Sequence, residues 1–93
     1  MKGTSYPLLR RAFHAHSCPE FEKARVKGEV ERIAYVMGKN PATVTCILNK
    51  TGKNNRKEFR RKEMIHLFYF IEKEGWAEGE ITEYFPEYKD DFA

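Results

Sequence analysis

Apolar residues recur along this chain at helical spacing, and no segment alternates with the period of two that marks a strand. Leu8, Leu9, Ala12 and Phe13 share one face of a first helix over Leu8–His16. Pro19 suits the first turn of a second helix. Phe21, Ala24, Val30, Ile33, Ala34 and Met37 then keep helical spacing, interrupted by Gly28. The pattern predicts a short helix over Pro19–Val26, a break at Lys27–Gly28 and a helix over Glu29–Met37; one continuous helix is the competing reading. Gly38 ends that stretch, and Asn40 followed by Pro41 starts a helix over Pro41–Asn49, with Val44, Ile47 and Leu48 as its apolar face. Gly52 and Asn54-Asn55 mark a loop over Lys50–Lys57. The longest helix is expected from Lys57 or Glu58 to Glu74. Met64, Leu67, Phe68 and Ile71 form its stripe, which Phe59, Ile65, Tyr69 and Phe70 widen. A short last helix ends near Phe85, before Pro86. The expectation is an all-α fold: a compact four- to five-helix bundle in a single domain over residues 1–93. A loose arm (1–7) precedes it and an acidic tail (about 86–93) follows.

Residues 29–49 carry the clearest architectural signal. Two helices that cross at a sharp angle need a small residue where their backbones meet, a residue tolerant of positive φ at the corner, and apolar residues facing inward. Ala34, Gly38, and Ile33 and Met37 with Val44 and Ile47 meet those needs in turn. The segment IAYVMGKNPATVTCILN resembles the helix-turn-helix of the phage-repressor and Cro (lambda repressor-like) superfamily, and that of the lactose-repressor family, down to Thr43-Val44-Thr45-Cys46-Ile47-Leu48-Asn49. The resemblance spans about twenty residues. It departs at Lys39, a turn position commonly apolar in the family, and at Pro41, where many members carry a polar contact residue. It implies that the second helix enters the major groove of duplex DNA, with Asn40, Ala42, Thr43, Thr45, Cys46 and Asn49 turned to the bases. Asn can pair with an adenine edge, and Thr or Ala methyls can touch a thymine methyl. No Arg or Gln stands within Pro41–Asn49, so shape and phosphate contacts are expected to carry much of the affinity.

Charge adds direction to this picture. Net charge is only +3, but Lys50, Lys53, Arg56, Lys57, Arg60, Arg61 and Lys62 face a single acid, Glu58, in one short run. From Glu72 onward the balance reverses, with eight acids against Lys73 and Lys89. The basic run follows the second helix of the motif directly, which makes Lys39, Lys50, Lys53, Arg56, Lys57, Arg60 and Arg61 the expected phosphate ligands. The acidic end is expected to point away from DNA. At 93 residues, 41% apolar and 33% charged, the chain suits one soluble domain. No run of about 18 apolar residues spans a membrane, and the first residues lack the apolar stretch of a signal peptide. The expected compartment is the cytoplasm, where Cys18 and Cys46 stay reduced.

Other constellations are weaker. His14, His16 and Cys18 alternate, but a helix scatters them, and no metal site or cofactor is expected. TGKNNRK lacks the spacing of a phosphate-cradling loop, and no pocket is implied beside Glu72, Glu74, Glu78 and Glu80, so no enzyme activity is expected. The functional expectation is a sequence-specific DNA-binding transcriptional regulator. A homodimer through the aromatic long helix and the C-terminal region, with Trp76, Tyr84 and Phe85, suits two-fold operators. Two rivals remain. One is a protein-interaction module, antitoxin-like or a phage adaptor, with an exposed apolar patch around Phe68–Trp76. The other is RNA binding through the same basic run, with Phe59 stacking a base.

Overall fold

The computed structural model describes residues 6–49, 58–86 and 88. Six helices and no strand occur among them: α1 (Pro7–Ala15), α2 (Pro19–Ala24), α3 (Glu29–Met37), α4 (Pro41–Asn49), α5 (Arg61–Lys73) and α6 (Ile81–Tyr84). The all-α expectation holds, and the four to five helices expected become six. The two shortest, α2 with six residues and α6 with four, act as packed corners more than as bundle members. No described helix is long and apolar enough to cross a membrane.

Helix boundaries follow local chemistry. Pro7 opens α1, so Tyr6 and Pro7, expected in the arm, belong to the fold; Tyr6 is 3% exposed. The gap between α2 and α3 settles the competing readings of residues 19–37 in favour of two helices. Arg25 stops α2 in the left-handed region at φ 59°. The Val26 N–H then reaches the Phe21 carbonyl (3.0 Å) and the Arg25 N–H the Glu22 carbonyl (3.2 Å). A side chain other than Gly or Asn pays about 1–2 kcal/mol for that conformation. At its other end α5 begins later than expected, because the Glu63 carboxylate accepts the Arg60 backbone N–H at 2.9 Å and fixes the start there. Phe59 therefore lies outside the helix whose stripe it was expected to widen. It is 3% exposed, and its ring sits 4.9 Å from Tyr6 and 5.7 Å from Phe85.

α3 lies at the centre and touches α1, α4 and α5, while α6 closes against α1 and α5. Leu9, Phe13, Ile33, Val44, Ile47, Leu48, Leu67 and Ile71 are completely buried between them. Two aromatic groups complete the core. Phe13, Phe21, Phe70 and Trp76 form one, with Phe13 and Phe70 stacked at 5.9 Å. Tyr6, Phe59 and Phe85 form the other. Each ring pair adds about 0.5–1.5 kcal/mol beyond its buried area.

This packing changes the reading of the aromatic surface. Trp76, Tyr84 and Phe85, expected to be available to a partner chain, are at most 8% exposed and serve the molecule's own core. The patch expected around Phe68–Trp76 shrinks in the same way: Phe70, Ile71 and Trp76 are buried and Phe68 is half-buried. The large apolar side chains left open among the described residues are Tyr35, Ile65 and Tyr69.

Candidate nucleic-acid interface

The corner between α3 and α4 is built from the residues that marked it in the sequence. α3 carries Glu29 and Glu31 in its first turn, where the helix dipole favours acids. Its far end needs partners for its last carbonyls. Gly38, left-handed at φ 72°, donates its N–H toward Ala34 (2.8 Å) and Tyr35 (3.3 Å), and Lys39 donates to Ala34 (3.0 Å). The Val36 carbonyl meets His66 Nε2 from α5 at 3.0 Å, which accepts a bond in the tautomer protonated there. Ala34 is 2% exposed, as the close approach of two backbones requires. Across the corner, Val44, Ile47 and Leu48 are fully buried.

Asn40 then starts α4. Its Oδ1 accepts the Ala42 N–H at 2.8 Å, which satisfies one of the four amides a helix start leaves open. Of the residues expected to face bases, Asn40, Ala42, Thr45 and Asn49 are exposed, and Thr43 and Cys46 are half-buried. Four of the six are thus open to solvent and two are partly covered, and Asn40 has already committed its carbonyl oxygen to the cap. Cys18 is buried, and neither it nor Cys46 is in a disulfide.

The expected phosphate ligands fall into three groups. Lys39 and Arg60 are exposed. Arg61 is half-buried, and its guanidinium carbon lies 5.8 Å from the centre of the Tyr88 ring. Lys50, Lys53, Arg56 and Lys57 lie outside the described residues.

Two features escaped sequence reasoning. Arg32 Nη1 donates to the carbonyls of Phe13 (3.1 Å) and His16 (3.0 Å), and Nε reaches the Val26 carbonyl at 3.5 Å. Its guanidinium also covers the Phe21 ring at 5.5 Å. This side chain fastens the end of α1 and the α2–α3 connection to α3. An ion pair between Arg10 and Glu29 ties α1 to the start of α3, with His14 Nδ1 3.8 Å from the same carboxylate. The alternation of His14, His16 and Cys18 dissolves into separate surroundings: His16 stacks on Trp76 at 5.1 Å, and Cys18 is buried. No cluster of three or more metal-ligating side chains occurs among the described residues.

α4 thus presents a short polar surface on a helix held at its base by buried Val44, Ile47 and Leu48 and at its start by a side-chain cap. Comparison with protein-family models, curated proteins and solved structures returned no match.

Proposed function

We propose that the protein binds duplex DNA as a lambda repressor-like regulator, with α4 in the major groove and the basic segment that follows it on phosphates. The observation that carries this reading is the corner itself. Ala34, Val44 and Ile47 are buried where α3 and α4 meet and Gly38 makes the left-handed turn between them, as a helix-turn-helix needs, while Ala42, Thr45 and Asn49 of α4, and Asn40 just before it, stay exposed. These side chains are short and suit adenine edges and thymine methyls. Affinity then rests largely on Lys39 and the bases from Lys50 to Lys57, so binding is strongly salt-dependent. A second copy of the chain, reading a second half-site, would double that grip. With Trp76, Tyr84 and Phe85 enclosed, Ile65 and Tyr69 are the exposed large apolar side chains of α5 that such a contact could use.

The test is the salt dependence of binding to a duplex of mixed sequence. Replacing Lys53, Arg56 and Lys57 together by Gln should reduce the log–log salt slope by about 2–3, at roughly 0.9 per phosphate contact. An unchanged slope refutes the assignment of the basic segment, and absence of duplex binding by the unaltered protein refutes the function.

A further inference from the structure

We propose that Arg25 and Lys39 form a second phosphate contact for duplex DNA, on the N-terminal side of α4 and separate from the basic segment that follows that helix. This inference rests on the DNA-binding reading above and adds to it a residue that sequence reasoning did not select. Arg25 and Lys39 line one hollow of about 280 Å³, together with Tyr35 of α3 and Pro41, the first residue of α4. The hollow therefore opens beside the helix assigned to the groove. Its two bases come from different connections, one after α2 and one between α3 and α4. A phosphate track along this edge would be gripped where α4 starts, while the basic segment after Asn49 would grip beyond its other end.

Three observations support a ligand here. Both bases are exposed, and neither forms an ion pair among the described residues, whereas Arg10 is spent on Glu29. Arg25 is one of two non-glycine residues with positive φ among the described residues; the other, Tyr6, is buried in the core, whereas Arg25 is exposed. A bulky side chain kept in a strained conformation points to a use for that side chain. Tyr35, 48% exposed, walls the hollow and brings a hydroxyl group of the kind that donates to phosphate oxygens.

The surrounding charge favours an anion. Lys27 lies on the other side of Arg25, where both line a neighbouring hollow with Arg32, three bases against the one acid Glu22. The acid in the Arg25–Lys39 hollow is Glu31, whose Oε1 accepts the Lys27 backbone N–H at 3.4 Å. Its negative charge opposes a phosphate, so its neutralisation has a defined sign.

Arg25→Gly separates binding from folding, because glycine adopts the left-handed conformation without strain. The variant and the unaltered protein are compared for binding to a mixed-sequence duplex across a salt series, and for thermal midpoint. The expected result is a slope smaller by about one and affinity reduced about fivefold near 0.15 M salt, with no loss of thermal midpoint. Arg25→Gly with Lys39→Gln should lower the slope by about two, and Glu31→Gln should raise affinity. Normal duplex binding whose slope neither change at Arg25 nor change at Lys39 alters overturns this contact and leaves the proposed function standing. No duplex binding by the unaltered protein overturns both.

Discussion

Two glycines flank α3, and they should respond very differently to the same substitution. Gly28 precedes the helix with φ 84° and ψ 150°, and Gly38 follows it with φ 72° and ψ 33°. A Cβ built on either meets nothing within 4 Å, so no steric clash with neighbours enters the comparison. Only backbone conformation separates them. The Gly38 conformation is left-handed helical, which costs alanine about 1–2 kcal/mol. Stiffening of the unfolded chain returns about 0.4–1 kcal/mol, leaving a net loss near 1 kcal/mol for Gly38→Ala. The Gly28 conformation belongs to a region populated essentially by glycine alone, at the upper end of a strain of about 1–3 kcal/mol. After the same offset, Gly28→Ala should lose about 2 kcal/mol. In a domain of this size that corresponds to a midpoint lower by about 4–8 °C for Gly38→Ala and about twice as much for Gly28→Ala. Urea titration with a common m-value is the suitable assay. Gly38→Asn should be milder still, since Asn tolerates the left-handed region. Equal losses at the two positions, or a loss below 0.5 kcal/mol at Gly28 by the same strain scale, would refute the reasoning.

Other consequences are equally specific. Asn40→Ala should cost about 1 kcal/mol through loss of the bond to Ala42, whereas Asn40→Asp keeps the cap and weakens duplex binding by charge. Thermal melts and duplex titrations on the two variants check this, and equal destabilisation by both would deny the capping role. Arg32→Met keeps the apolar stem but removes charge-assisted bonds to Phe13 and His16, a loss of about 2–3 kcal/mol by urea titration. A loss under about 0.5 kcal/mol, the range of ordinary surface changes, would show that Arg32 does not fasten α1.

Legibility in the sequence tracked how local each determinant is. The bounds of α3 and α4 could be read directly because Gly38, Asn40 and Pro41 act on their own neighbours. The apolar pattern carries α2 to Val26, two residues past its end, because nothing in the letter Arg25 announces a left-handed stop. The pattern starts α5 too early because Phe59 fits the helical stripe, while its actual neighbours, Tyr6 and Phe85, come from far along the chain on either side. Arg32 could not be distinguished from any surface base, since the carbonyls it holds lie 16 and 19 residues away. Trp76, Tyr84 and Phe85 looked like surplus apolar area until the fold placed Phe13, Phe70 and Tyr6 against them. Within the candidate interface, exposure of Thr45 and Asn49 follows from helical periodicity, but the capping bond that occupies the Asn40 carbonyl oxygen needs the geometry of its side chain.

Selection from a random pool of duplex DNA, followed by sequencing, tests the central claim most directly when run on the unaltered protein beside Thr45→Val and Asn49→Ala. An enriched motif is expected for the unaltered protein, arranged as a palindrome if two copies bind together. A changed base preference is also expected in each variant, at salt slopes that stay the same. A pool that stays unenriched, or an identical motif from all three proteins, would contradict the assignment of α4 to the major groove.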